Sequence, residues 1–412
     1  MKLSQQGTSL WGGVFAPKGF TFGATACGLK PAGALDLALF LSDRDAAVAG
    51  VFTRNQFAAA PVRLDRTTLA ANRSRMRAII ANAGNANACT GEQGERDAAA
   101  MQTSTAGLLG LSAEQVLVLS TGVIGVPMPM NRLVEGIAAL PSKLGPSAGA
   151  DAAQAIMTTD TVPKHASVEV NCGTGTVRIS GVAKGSGMIH PNMATMLGVL
   201  VTDALVPPPF LQAALERAVN VSFNAISVDG DTSTNDSVVV LANGASGVSV
   251  ETPAAQASFQ DALTALCTDL AKQIVRDGEG ATRFVELHVE GLEDDAAARA
   301  VASTIATSPL VKTAFAGGDP NWGRILAAAG RAGVSLDMSS VSLSIDGLKA
   351  PGRVQLVRDG TPTDYAEADA AAVFAQSDFS ICLRFGSGPG QATMWTTDLT
   401  HDYVRINADY RS

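Results

Sequence analysis

Residues 184–197 join a lysine, a glycine-rich segment and a threonine in one short run, a pattern suited to presenting a nucleophile. The glycines allow close approach of the backbone, and Pro191 stiffens the turn that follows. Thr195 precedes an apolar run, residues 196–201, which we expect to enter the core as a strand or as a first helical turn. A threonine in this setting is also typical of a helix cap or of a buried strand residue.

A chain break in front of Thr195 would add a base to this hydroxyl, because the freed amine has an ordinary pKa of about 8. Acyl transfer to an amine also needs donors for the negative oxygen of the tetrahedral intermediate. The string STGVIG at residues 120–125 offers such donors. Apolar residues 116–119 predict a strand that delivers this turn, and Gly122 permits an exposed backbone N–H. Turns of this kind are also common in purely structural positions.

The wider sequence around the threonine resembles a known signature. The strings GVAKGSGM at residues 181–188 and PNMATML at 191–197 are similar to those of the ornithine acetyltransferases, also called glutamate N-acetyltransferases. That family cuts itself at the Ala-Thr bond and uses the threonine as acetyl carrier, which implies cleavage between Ala194 and Thr195. Further strings extend the resemblance from end to end: NAGNANACTG at 82–91, VDGDTSTND at 228–236 and GDPNWGR at 318–324.

The resemblance also implies roles for residues far from the threonine. The oxyanion hole corresponds to Thr121 and Gly122, and the substrate contacts correspond to Thr158, Lys184, Thr195, Glu279, Asn407 and Ser412. Family members fold the C-terminal tail over the active site. Read without the resemblance, Lys184 is equally typical of a solvated loop cation, Glu279 of a solvated turn residue and the tail of a fraying end.

Metal and cofactor sites are not indicated by the sequence. Asp229, Asp231 and Asp236 have the spacing of oxygen ligands for Ca²⁺ or Mg²⁺, but the closing glutamate of a calcium loop is missing. We therefore expect structural hydrogen bonds near the threonine from these carboxylates, and no metal. No dinucleotide loop or phosphate-binding loop occurs, so we expect no cofactor. The four histidines are dispersed, and the five cysteines form no Cys-x-x-Cys pair, which predicts reduced, mostly buried thiols.

Composition bounds the class of protein. The chain has 412 residues, 46% of them hydrophobic, and a formal net charge of −8. This acidic balance argues against nucleic acid and anionic membrane surfaces as partners. No apolar stretch approaches the ~20 residues of a membrane helix, and residues 1–20 lack the apolar centre of a signal peptide. We expect a cytoplasmic globular protein.

Strand and helix patterns alternate along the chain. Residues 168–170 and 176–179 flank a turn and predict a hairpin, while residues 341–345 and 379–383 alternate as half-buried strands do. Apolar spacing of three or four predicts helices at residues 133–140, 210–219 and 259–274. The mixture predicts an α/β (α+β) fold, a layered sandwich of mainly antiparallel sheets covered by helices. The resemblance implies the DmpA and ornithine acetyltransferase type of fold.

The functional hypothesis follows from the resemblance. It is a glutamate N-acetyltransferase of arginine biosynthesis that moves acetyl from N-acetylornithine to glutamate, by a ping-pong route through acetyl-Thr195. Residues 1–194 would form an α fragment with the oxyanion hole and the Lys184 loop, and residues 195–412 a β fragment, both sharing one interleaved fold. Assembly into a heterotetramer is implied. The alternatives are a bifunctional enzyme that also uses acetyl-CoA, an aminopeptidase with the same processed nucleophile, or a metabolite-binding protein without catalysis.

Overall fold

The computed structural model describes residues 9–12, 16–190 and 196–409, and its strands alternate with helices along the chain. Thr195, Ala194 and Ser412 lie outside the described residues. The strands are β1 (Ser9–Gly12), β2 (Phe20–Thr25), β3 (Leu37–Phe52), β4 (Met76–Asn85), β5 (Val116–Val123), β6 (Lys164–Asn171), β7 (Thr176–Lys184), β8 (Leu197–Thr202), β9 (Ile226–Ser227), β10 (Ser237–Ala242), β11 (Phe284–Leu292), β12 (Val341–Gly347), β13 (Val354–Arg358), β14 (Thr361–Pro362), β15 (Asp378–Phe385) and β16 (Gly390–Thr397).

Several of the α-helices begin at a proline or behind a capping side chain. Pro253 opens the longest of those described, and the Thr252 hydroxyl ahead of it accepts the N–H of Ala255 at 3.2 Å. The helices are α1 (Ala60–Ala71), α2 (Gly91–Leu109), α3 (Met130–Ala139), α4 (Gly149–Ala155), α5 (Pro208–Asn220), α6 (Pro253–Arg276), α7 (Asp295–Ala306), α8 (Pro309–Gly317), α9 (Trp322–Gly330), α10 (Glu367–Phe374) and α11 (His401–Asp409).

Two sheets organise the described residues. The larger has the strand order β1-β6-β7-β8-β10-β3-β4-β5, with β2 paired to β3, and the smaller has the order β14-β13-β12-β15-β11-β16-β9. Most neighbouring strands are antiparallel, whereas β8 and β10, β4 and β5, β11 and β15, and β9 and β16 are parallel. In the larger sheet β8 lies between β7 and β10, so strands from before and after the Ala194-Thr195 bond are neighbours.

Helices cover both sheets. Apolar side chains of α5 and α6 pack on β6, β7, β8 and β10, and the same core reaches Phe284 and Trp395 of the smaller sheet. Helices α7, α8, α9 and α10 bury their apolar faces against β11, β12 and β15. The fold is therefore the layered α/β arrangement that the sequence predicts. None of the helices within the described ranges is long and apolar enough to cross a membrane.

Most of the predicted elements are present. The hairpin at residues 168–179 is formed by β6 and β7, and the helices at 210–219 and 259–274 are α5 and α6. Two expectations are wrong in detail. The STGVIG string is not a turn after a strand, because β5 continues through Val123. The thiols are not mostly buried, since only Cys172 and Cys267 of the five are buried, whereas Cys27 and Cys382 are partly exposed and Cys89 is exposed.

Candidate active site

One cavity gathers six of the residues singled out in the sequence, from distant parts of the chain. It is lined by Thr121 and Gly122 of β5, Thr158 after α4, Lys184 at the end of β7, Glu279 after α6 and Asn407 of α11. The wall is completed by Ala86, Ile124, Thr159, Gly187, Met188 and residues 233–235. Small-molecule sites have this character, a concave surface with a few convergent polar groups.

Gly122 lies where two backbones meet closely. Its φ is +132°, and an added Cβ would come within 2.3 Å of the carbonyl carbon of Gly84 in β4. No side chain fits at that distance, so the sequence must place glycine here. The Asn235 amide donates to the carbonyls of Ala86 at 2.6 Å and Ser120 at 2.8 Å. These bonds fix the loop after β4, and β5 itself, to the segment that precedes β10.

Lys184 is the last residue of β7 rather than part of a loop, and its side chain is only 3% exposed. A solvated loop cation is therefore the wrong interpretation. Burial lowers the pKa of the Lys184 ammonium, and the negative charge of Asp160 acts in the opposite direction. The Lys184 Nζ lies 3.9 Å from Asp160 Oδ2. Among the described residues none accepts a hydrogen bond from this Nζ, and Lys184 lines the cavity.

A buried network of charges stands behind Lys184. Asp160 Oδ1 accepts hydrogen bonds from Lys164 Nζ at 2.6 Å and from the N–H of Gly185 at 2.7 Å. Lys164 also donates to Asp277 Oδ2 at 2.5 Å. Burial opposes the ionisation of Asp160, but the charges of Lys184 and Lys164 prevail and lower its pKa to about 2. Sequence patterns did not predict this network, although residues 156–161 contain Asp160 as well as Thr158.

Glu279 supplies the opposite charge, and it is buried rather than solvated. Its side chain is 8% exposed, and its Oε2 accepts a hydrogen bond from Asn407 Nδ2 at 2.8 Å. A Cβ at Gly187 would lie 2.3 Å from Glu279 Oε2, so a side chain there would displace the carboxylate. The Thr400 hydroxyl donates to the Gly280 carbonyl at 2.7 Å, which docks the start of α11 on the same turn.

Two further carboxylates bind backbone amides around the glycine-rich segment, as the sequence predicts. Asp229 accepts the N–H groups of Met188 at 2.5 Å and Ile189 at 2.9 Å. Asp236 Oδ1 accepts the N–H of Met196 at 2.7 Å, directly ahead of β8. Burial raises the pKa of Asp229 to about 6 and that of Asp236 well above its ordinary value. Within the described ranges, no group of three His, Cys, Asp or Glu side chains could hold a metal ion.

The cavity therefore presents a cation and an anion to the same small space. Lys184 can bind a carboxylate, and Glu279 can bind an ammonium group. Thr121 and Gly122 also line this space, and neither side chain carries a charge. An amino acid, which carries both charges, matches this arrangement.

Comparisons with known proteins cover nearly the whole chain. The ArgJ family model matches residues 21–412. The arginine biosynthesis bifunctional protein ArgJ of Chlorobaculum tepidum is 47% identical over 399 residues, covering 97% of each chain. The protein of the same name from Thermosynechococcus vestitus is 48% identical over 416 residues, covering 97% of this chain and 98% of its own. The crystal structure of ornithine acetyltransferase complexed with ornithine from Mycobacterium tuberculosis is 44% identical, covers 45% of this chain and 98% of its own, and has a TM-score of 0.42.

Proposed function

Since this chain belongs to the ArgJ family, we propose that it transfers acetyl from N-acetylornithine to glutamate through Thr195, after cleavage of the bond between Ala194 and Thr195. The observation that carries the proposal is the single cavity lined by Thr121, Gly122, Thr158, Lys184, Glu279 and Asn407. The family resemblance of the sequence points to these six residues, which come from five separate elements or loops. We further propose that the enzyme acts in the cytoplasm as a heterotetramer of its two fragments.

The reaction begins with cleavage of the precursor. The Thr195 hydroxyl attacks the carbonyl carbon of Ala194, and the C–N bond breaks as an ester forms, which frees the Thr195 amine. Water then hydrolyses the ester, which releases the Ala194 carboxylate and restores the Thr195 hydroxyl. The first half-reaction is attack of the same hydroxyl on the acetyl group of N-acetylornithine, with the amine accepting the hydroxyl proton. The tetrahedral intermediate collapses with transfer of the proton to the departing nitrogen of ornithine. The neutral amine of glutamate then attacks the acetyl carbon of acetyl-Thr195. The C–O bond to Thr195 breaks, the Thr195 amine passes the proton from glutamate to the Thr195 oxygen, and N-acetylglutamate leaves.

The cavity residues supply binding and charge stabilisation in this scheme. The Thr121 hydroxyl and the Gly122 N–H donate to the oxyanion, a type of interaction that strengthens as negative charge develops. Lys184 binds the substrate carboxylate and Glu279 its ammonium group, with Asn407 holding the Glu279 carboxylate in place. Thr158 and Ser412 complete the substrate contacts. No cofactor takes part in acetylornithine turnover.

A second activity is favoured by the names of the relatives, which are called bifunctional. We propose that acetyl-CoA can also acetylate Thr195, so that glutamate is acetylated without acetylornithine. An assay of glutamate with acetyl-CoA alone tests this directly. Production of N-acetylglutamate supports the second activity, and its absence under conditions where acetylornithine is consumed limits the enzyme to the first.

Replacement of the nucleophile tests the main proposal. Wild-type protein should run as two bands on a denaturing gel and should convert N-acetylornithine and glutamate to ornithine and N-acetylglutamate. Thr195→Ala should run as one intact band without activity. Thr176→Val, which removes an exposed hydroxyl from the start of β7 outside the cavity, is the matched control and should be cleaved and active. An uncleaved wild-type chain with full turnover, or cleavage of Thr195→Ala at the same bond, would contradict the proposal.

A further inference from the structure

Asp160 is the main described group that neutralises the positive charge of Lys184. Its side chain is 3% exposed, and its Nζ lies 3.9 Å from Asp160 Oδ2 and has no ion pair within 4.0 Å with any other described carboxylate. The other charged groups that act on it are Glu279 and Asp236, which favour its charge, and Lys164 and Lys30, which oppose it. Glu279 is engaged by Asn407. Burial favours the neutral acid form of Asp236.

Asp160 is held firmly by groups on both sides of it. Besides Lys164 and the Gly185 N–H, its Oδ2 accepts the N–H of Thr158 at 2.9 Å. Thr158 and Lys184 both line the cavity. The Asp160 carboxylate thus connects the backbone at Thr158 to the backbone next to Lys184, and these hydrogen bonds fix its orientation.

Two buried lysines, Lys164 and Lys184, depend on the negative charge of Asp160. Lys164 is completely buried, and its ammonium binds both Asp160 and Asp277. With Lys184 the cluster contains two buried cations and two carboxylates. Loss of Asp160 would leave two buried lysines with one carboxylate, and Asp277 is not in contact with Lys184. Because an unpaired buried ammonium is costly, Lys184 would lose its proton more readily.

We propose that Asp160 is a positioning residue that keeps Lys184 charged at the cavity wall, so that Lys184 can bind the carboxylate of the amino-acid substrate. Lys164 and Asp277 complete the support by holding Asp160 from the other side. The inference rests on the proposed function for the identity of the ligand. The effect on Lys184 itself does not depend on turnover and can be measured separately.

The direct test measures the protonation of Lys184 in the whole protein. Trace labelling with acetic anhydride across a pH series, read by peptide mass spectrometry, gives the midpoint at which Lys184 becomes reactive. Asp160→Asn should move this midpoint to lower pH by about one unit or more, and at a pH between the two midpoints KM for glutamate should rise about tenfold. Asp277→Asn is the matched control, because it removes a carboxylate from the same Lys164 without touching Lys184. Its Lys184 midpoint should remain at the wild-type value.

A second variant, with an expected shift of the Lys184 midpoint in the opposite direction, provides a test if Asp160→Asn does not fold. Lys164→Met removes a cation that opposes the charge of Lys184, so the midpoint should move to higher pH. A Lys184 midpoint that stays unchanged in Asp160→Asn, or in Lys164→Met if only that variant folds, overturns the inference. Equal shifts in Asp160→Asn and Asp277→Asn would also overturn it. A wild-type enzyme without acetylornithine turnover would instead refute the proposed function, and the labelling result would stand by itself.

Discussion

At the scale of single residues, the cavity separates binding groups from groups suited to stabilise a transition state. Lys184 and Glu279 carry opposite charges and are buried, so their interactions with a ligand are screened less by water than surface pairs would be. Thr121 and Gly122 lie on β5 and carry no charge. Substitutions in the two groups should therefore have different kinetic effects, on KM for the first and on kcat for the second.

Thr121 provides the residue-scale prediction. Thr121→Ala removes a proposed donor to the oxyanion, and kcat for acetyl transfer should fall by about 10²–10³ with little change in KM for N-acetylornithine. Thr121→Ser keeps the hydroxyl and should retain most of the activity. Steady-state kinetics of both variants measures this. A wild-type kcat in Thr121→Ala would show that the Thr121 hydroxyl is not part of the oxyanion hole.

At the scale of secondary structure, α11 is attached to the site by few contacts. It has no buried residue, and Asn407 reaches Glu279 across a gap of 128 positions in sequence. Burial raises the pKa of Tyr403, and the negative charge of Asp229 acts in the same direction. A helix held mainly by polar contacts has modest stability, so each contact should matter for binding.

Asn407 provides the element-scale prediction. Asn407→Ala removes the hydrogen bond to Glu279, and KM for N-acetylornithine should rise roughly tenfold, because a hydrogen bond to a charged group contributes about 1.5–3 kcal/mol. Arg405→Ala, on the same helix, removes an exposed ion pair with Asp402 and is the control. Equal KM values for the two variants would show that α11 does not support the site through Asn407.

At the scale of the whole molecule, the larger sheet joins the two sides of the proposed cleavage site. Strand β8 begins at Leu197 and pairs with β7 on one side and β10 on the other. The two fragments would therefore share a continuous hydrogen-bonded sheet and a common core. Separation of the fragments would expose that core, so cleavage should leave them associated.

Stability of the whole molecule should depend on pH through Lys312 of α8. Burial lowers its pKa to about 7, with the charges of Asp398 and Asp229 acting in the opposite direction. Above pH 7 the folded form loses this proton while the unfolded chain keeps it, so the contribution of Lys312 to stability rises with pH. The free energy of unfolding of wild type relative to Lys312→Met should increase by about 2–3 kcal/mol between pH 7 and pH 9.

Urea unfolding at a series of pH values measures this difference. Lys143→Met removes an exposed lysine and is the control, for which the difference from wild type should be the same at each pH. A pH-independent difference between wild type and Lys312→Met would show that Lys312 titrates alike in the folded and unfolded states.

Local sequence patterns were sufficient to predict helices and strands, but not the burial and pairing of the charged side chains around the site. The β6–β7 hairpin and α6 follow from periodicity and turn residues within short windows. The site residues were found through the resemblance of strings such as residues 181–188. The pairing of Lys164 with Asp277 joins positions 113 residues apart, and the burial of Lys184 and Glu279 results from packing of β7 and the turn after α6. No local window contains that information.

The central claim is that Thr195 carries the acetyl group between the two substrates. The most direct test is intact-mass and peptide mass spectrometry of purified wild-type protein incubated with N-acetylornithine in the absence of glutamate. The account predicts a fragment that begins at Thr195 and carries one additional acetyl group on that residue, which disappears when glutamate is added. Turnover by a chain that is continuous through residues 194–195, or an acetylated intermediate at another residue, would contradict it.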